Sequence, residues 1–260
     1  MKEQSPLISN KNFEVLADLK GQLDSIKSTL SDEEISRFWH ELILSWIHHD
    51  NSLEGTVLTL QELKASLETP DNVDLSMIPE SEVIIAHRNA IHFIRETAAK
   101  RRLQITLPLF KELYHLLNPS EEMPKQLPYR RETPLHRLYF HEISPPEKIA
   151  YRMKKFIEWV SSSQVKKLHP IQYAGEVHYR LISIYPFSQN SGKFARLIMN
   201  LILLHHGFEP IIIHATERQH YYDVLQEPSK ALIYLLIEAM KNSLDSTIKY
   251  FSLNKTKYTV

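Results

Sequence analysis

The residues of this chain whose types and spacing could do chemistry cluster in one stretch, "YPFSQNSGKFARLIMN", Tyr185 to Asn200. A short polar loop runs straight into an apolar, helix-forming segment, so a helix begins just behind the loop. The first turn of a helix leaves backbone N–H groups unpaired, and those groups attract anions. Gly192 permits close backbone approach, while Lys193 and Arg196 stand where they could meet phosphate oxygens. Binding of a phosphorylated ligand is the chemistry these residues suit. They also suit an ordinary polar turn with Arg196 on a solvated helix face, and residue types alone do not separate the two. Tyr185 heads the loop, and a free phenol titrates near pH ~10, so at neutral pH it accepts protons poorly.

The elements that must position this loop are helices. "HPIQYAGEVHYRLISIY" before it is strongly apolar, with Ile171, Ala174, Val177, Leu181, Ile182 and Ile184 covering much of its circumference, and is expected to be central. "FARLIMNLILLHHG" after it stops at Gly207, a suitable C-terminal cap. Towards the N-terminus, Phe13, Leu16, Leu19, Leu23, Ile26 and Leu30 form an amphipathic stripe. "SDEEISRFWHELILSWIHHD" opens with Ser31 as N-cap and acids in its first turn, and "TLQELKASLE" opens with a threonine cap. "TPDNVDLSMIPESE" reads as a loop. "EVIIAHRNAIHFIRETAAKRR" and "LPLFKELYHLL" read as helices. "YRRETPLHRLYFHEISPP" carries three prolines and a brief alternation, the pattern of a short hairpin or extended flap. "PPEKIAYRMKKFIEWV", "TERQHYYDVL" and "KALIYLLIEAMKNSLDSTIKYF" complete a mostly helical chain.

Composition narrows the partners. The 260 residues include 31 Lys+Arg and 31 Asp+Glu, so nothing points to nucleic acid or an anionic membrane. Cysteine is absent, which excludes disulfides and Cys-ligated zinc and fits a reducing compartment. The N-terminus is too polar for a signal peptide and no stretch reaches the length of a membrane span, so the expected location is cytoplasmic.

At this point a family likeness emerges. "HYRLISIYPFSQNSGKFARLIMNLILLHHGFEPIII" resembles the core of Fic (Fido) domains, whose motif is H-P-F-x-D/E-G-N-G-R-x-x-R. The likeness continues in "ERQHYYDVL", in "ISPPEKIAYRMKKFIEWVSSSQVKKLHPIQYAGE" and in "NSLEGTVLTLQELKASLET". The last of these is similar to the inhibitory-helix segment of that family, S/T-x-x-x-E-G/N. The resemblance implies an all-α, mostly helical Fic fold with a small β-hairpin flap, in a single domain over 1–260. Residues 31–69 would supply N-terminal helices with an inhibitory-helix-like segment, 128–142 the flap, and 170–207 the core with the motif loop.

The closest likeness is to protein adenylyltransferases, which transfer AMP from ATP to protein hydroxyls. There the motif histidine is the general base, the acid holds Mg²⁺, the Gly-Asn-Gly loop cradles phosphates, and two arginines meet them. An inhibitory glutamate captures the second arginine. Pro186, Phe187, Gly192 and Arg196 agree with the motif. Tyr185 stands at the histidine, Gln189 at the acid, Asn190 at the first glycine, Ser191 at the asparagine and Lys193 at the first arginine. Tyr222 matches a tyrosine of the adenine site, but Ser229 replaces a later asparagine. Glu54 and Gly55 agree with the inhibitory motif, while Asp50 replaces its serine or threonine.

These departures have directions. Loss of a general base typically costs about 10²–10⁴ in rate. Gln189 is a neutral, poor ligand for Mg²⁺, and Lys193 lacks the bidentate fork of arginine. The resemblance therefore implies a degenerate Fic protein, catalytically impaired, acting through a nucleotide or a protein partner at Asn190, Ser191, Gly192, Lys193, Arg196 and Tyr222, with Glu54 as a regulatory residue or a structural remnant. ATP is the candidate ligand, Mg²⁺ is not expected, and a homodimer is common among similar proteins. The alternative is an active transferase with changed chemistry and a base other than Tyr185. Glu54 and Arg196 are expected to form an ion pair. His178 is a candidate replacement base or a packing residue. The "HHD" run, His48 to Asp50, lacks the spacing of a metal site, and "HRLYFHE" could align an extended partner segment or be a plain hairpin.

Overall fold

A computed structural model describes residues 10–68, 78–119, 122–123, 125–134 and 141–257. Ten α-helices occur among them: α1 (Asn10–Lys27), α2 (Asp32–Leu53), α3 (Leu60–Glu68), α4 (Ile78–Ala98), α5 (Leu107–Leu117), α6 (Ile149–Val160), α7 (Pro170–Ile184), α8 (Ser191–His205), α9 (Arg218–Val224) and α10 (Ser229–Lys257).

Local chemistry sets most of their ends. Ser31 Oγ accepts from the Glu34 N–H while the Glu34 carboxylate accepts from the Ser31 N–H, a reciprocal cap that starts α2. Asp32, Glu33 and Glu34 then sit at the positive end of the helix dipole. Thr59 and Glu62 repeat the arrangement ahead of α3. At the far end of α2, Gly55 takes φ +94, its N–H reaching the Ser52 carbonyl and the Thr56 N–H reaching Asn51. A side chain would strain that left-handed backbone, so glycine ends the helix one residue after Glu54. Gly207 closes α8 in the same way.

α8 is the centre of the molecule. Every residue from Ser191 to Leu203 is buried, because α7, α4 and α5 pack around it. α7 was expected to hold that place. Its six named apolar residues are buried, but Arg180 is exposed, and Tyr173, Glu176 and Tyr179 are partly so. α10 lies against α7 and also receives α1, which buries Leu16 and Leu23.

One expectation needs correction, and a second falls largely outside the described residues. α4 begins at Ile78, inside the stretch read as a loop through Glu82, because Pro79 is tolerated in a first helical turn. Among the described residues no strand forms, so the expected hairpin over 128–142 is not seen in 128–134 or 141–142. Most of "HRLYFHE" lies outside the described residues. The chain on either side of it is tied down by Arg130, whose guanidinium donates to the carbonyls of Tyr185 (2.7 Å), Glu132 (2.9 Å) and Ser144.

Candidate functional site

The loop between α7 and α8 is bracketed by the only two non-glycine residues with positive φ among those described, Tyr185 (φ 48) and Asn190 (φ 58). Left-handed backbone costs an ordinary residue about 1–2 kcal/mol, so the surroundings must enforce it. They do so at each point. Arg130 Nε holds the Tyr185 carbonyl and the Arg130 N–H holds that of Pro186. Ser191 Oγ accepts from the Phe187 N–H (2.8 Å) and donates to the Phe187 carbonyl (2.9 Å), closing the turn on itself. Asn190 Nδ2 donates to the Leu117 carbonyl and to Asn118 Oδ1, tying the loop to the end of α5. Phe187 packs against Tyr114, Tyr129 and Phe194.

Arg196 does not lie on a solvated face. It is 1% exposed and meets two carboxylates at the end of α2: Nε donates to Asp50 Oδ1 at 2.7 Å and Nη2 to Glu54 Oε1, on the residue that caps the helix, at 2.8 Å. The expected Glu54–Arg196 ion pair is therefore formed, and Asp50 adds a second one. Lys193 Nζ is buried too and donates to Asn51 Oδ1 at 2.8 Å. His87 of α4 places Nε2 3.3 Å from Asp50 Oδ2, in an alignment that leaves both atoms short of a hydrogen bond.

Electrostatics follow from this packing. Burial pushes the Asp50 carboxyl upward, but the Arg196 guanidinium, with His87 and Lys193, outweighs it and holds the group at about 2. Burial lowers Lys193 against the pull of Glu54 and Asp50, and burial lowers His87 against the pull of Asp50. For Arg196 the two carboxylates overcome burial and raise the guanidinium further.

Glu54 also reaches the start of α8. A Cβ built on Gly192 would fall on Glu54 Oε1, so the carboxylate rests directly against the first turn of α8. Glycine allows that close approach, and the helix N-terminus with Arg196 receives the Glu54 carboxylate.

The remaining candidates sort themselves. Tyr222 and Arg218 both donate to the Leu53 carbonyl, at 3.2 and 3.0 Å, and so cap the C-terminus of α2. Tyr185 is 2% exposed, whereas Gln189 faces solvent. Ser229 bonds Glu176 of α7 instead of joining the loop. His178 pairs with the Tyr221 hydroxyl at 2.8 Å, and burial with the nearby Arg196 lowers its pKa to about 3, so it is a packing residue. The "HHD" run diverges, with His49 stacking on His214 and Asp50 turning inward. Sequence reasoning placed Asp50 in the inhibitory motif without pairing it with Arg196, and it missed Asn51, His87 and Arg218 as members of this site. A signal existed for that pairing: Asp50 precedes Glu54 by one helical turn, which puts both carboxylates on one face.

Comparison with known proteins gives this geometry a context. Residues 78–203 match the Fic/DOC family. The protein adenylyltransferase Fic of Aedes aegypti is 28% identical over 246 residues, covering 94% of this chain and 48% of that protein. Its counterpart in Nematostella vectensis is 27% identical over 254 residues, covering 97% of this chain and 59% of that protein. The chain thus spans about half the length of these relatives. A Fic-domain-containing signaling protein from Bacteroides thetaiotaomicron superposes with a TM-score of 0.79 at 22% identity, covering 92% of this chain and 97% of that one. Residues 78–203 thus match the Fic/DOC family, the chain is similar along nearly its whole length to adenylyltransferase relatives, and it has the all-helical fold of a Fic-domain structure.

Proposed function

We propose that this protein is a Fic-domain binding module whose loop takes an anionic group of a nucleotide or a protein partner, with AMP transfer impaired. One observation carries the reading: Tyr185, at the base position, is buried at 2% exposure with its carbonyl held by Arg130. A phenol in that place accepts a proton poorly at neutral pH. The metal position supports the same reading. Gln189 offers a neutral amide oxygen directed to solvent, and Mg²⁺ prefers carboxylate and phosphate oxygens, so the donor set does not fit that ion. What remains fit for purpose is the anion position at Gly192 and Arg196, filled by Glu54.

Incubation of the purified protein with labelled ATP, Mg²⁺ and a cell lysate tests the catalytic half. No label above that of a heat-denatured control is expected, and transfer of label to protein would overturn the reading. Calorimetry of the Glu54→Ala variant with ATP and with acidic peptides tests the binding half. Heat from either ligand is expected, and silence from both would sink the idea.

A further inference from the structure

Asp50 and Glu54 meet Arg196 from consecutive turns of α2, and they are not equivalent. Glu54 lies just past the last helical residue and its side chain is 22% exposed, so rotation about its own bonds takes the carboxylate into solvent. Asp50 lies a full turn inside the helix and its side chain is 1% exposed, so it leaves only if α2 unwinds. The charged groups around the loop are Lys193 and Arg196 from α8, Asp50 and Glu54 at the end of α2, Arg130 on the Tyr185 carbonyl and Arg218 on the Leu53 carbonyl, with His87 from α4. Arg196 is the cation that Glu54 meets, and with Glu54 withdrawn its Nε still donates to Asp50, which leaves one negative charge beside the opened position.

From this geometry we infer that Asp50 is the specificity-determining residue of the loop: by sharing Arg196 it favours a single carboxylate seated where Glu54 sits and disfavours a triphosphate. The inference rests on the proposed anion-binding reading and selects between its two ligands, favouring an acidic group on a protein partner over ATP. The Glu54 carboxylate already demonstrates the fit, since it meets Arg196 Nη2 at 2.8 Å and rests on Gly192. A triphosphate carries several charges into a low-dielectric pocket, where charge left without a counterion is strongly disfavoured. No side chain at the Gln189 position compensates it.

The full chain carrying Glu54→Ala, and the same chain with Asp50→Asn added, test this. Thermal unfolding is followed in sodium acetate against sodium chloride at equal ionic strength, and ATP binding is measured by calorimetry. Glu54→Ala is expected to melt higher in acetate than in chloride, and to bind ATP at least about tenfold more weakly than the double variant. ATP affinities within about threefold of each other would overturn the role of Asp50 while leaving nucleotide binding intact. Neither an acetate effect nor ATP binding in either variant would remove the anion site altogether, and this inference with it. Should Asp50→Asn fail to fold, Asp50→Ser takes its place. On Glu54→Ala alone, ATP that raises the melting temperature more than an equal concentration of acetate overturns the inference as well.

Discussion

Arg196 brings a full positive charge into the interior, and such a charge persists only where its donors are matched by acceptors. Asp50 and Glu54 supply them, and they should differ in what their loss does. Asp50→Ala leaves the guanidinium without its most buried partner, so a loss of about 3–5 kcal/mol is expected in urea unfolding. Glu54→Ala should cost about 1–2 kcal/mol, since water reaches the space its partly exposed side chain leaves. Equal losses, or the reverse order, would contradict this account. Gly192 gives a sharper test. Gly192→Ala should lose the Glu54 contact, costing about 1.5–3 kcal/mol. In a Glu54→Ala background the hardest clash is gone and only Arg196 Nη1, 3.1 Å from the added carbon, must give way, so the same change should cost much less. A double-mutant cycle in urea measures that coupling.

At the scale of the elements, the loop is a product of how α7 stops and α8 starts. Tyr185 and Asn190 turn the chain through left-handed backbone, and bonds from Arg130, Leu117 and Asn118 hold it there. Asn190→Gly keeps the backbone relaxed but loses two side-chain hydrogen bonds, whereas Asn190→Ala loses the bonds and adds strain. Alanine should therefore be the more destabilising of the two by about 1 kcal/mol, read from denaturation midpoints. If glycine is the worse, Asn190 serves the loop only through its side chain. α2 matters equally, because it carries Asp50, Asn51 and Glu54 to α8 on one face. Its start depends on the Ser31 cap, and Ser31→Ala should lower stability by about 1 kcal/mol.

For the molecule as a whole, a buried histidine and a half-buried one set the response to acid. Burial holds His178 at about 3, and burial with the neighbouring His214 holds His49 at about 4, both below the ordinary 6.5. The unfolded chain therefore takes up protons first. Stability is full above pH 6.5 and is lost as pH falls from there toward about 4 and then 3. Asp50 behaves separately: its contribution is present above its ordinary 3.8 and is lost only as pH falls toward about 2. Unfolding midpoints should thus decline steadily from neutral pH down to about 4 while the Arg196 cluster stays ionised. A flat profile across that span would contradict the burial of these two histidines. No helix among the described residues is long and apolar enough to cross a membrane.

What could be read from the chain alone is local in origin. The stripe at Leu16 and Leu23, the cap at Ser31, the helix stop at Gly207, and the break between Tyr185 and Ser191 all follow from periodicity and backbone preference within a few residues. The pairing of Glu54 with Arg196 was also expected, through family likeness, because both residues belong to recognisable motifs. The fold alone decided that α8 is buried on every side, so that a cation that suited solvent as well as ligand became an internal one. It also brought Asp50 and His87 to the same point from α2 and α4, far apart in sequence. A residue's propensity acts on its own turn of chain, whereas the partner of a charge is chosen by packing between distant helices, and no spacing in the sequence records that choice.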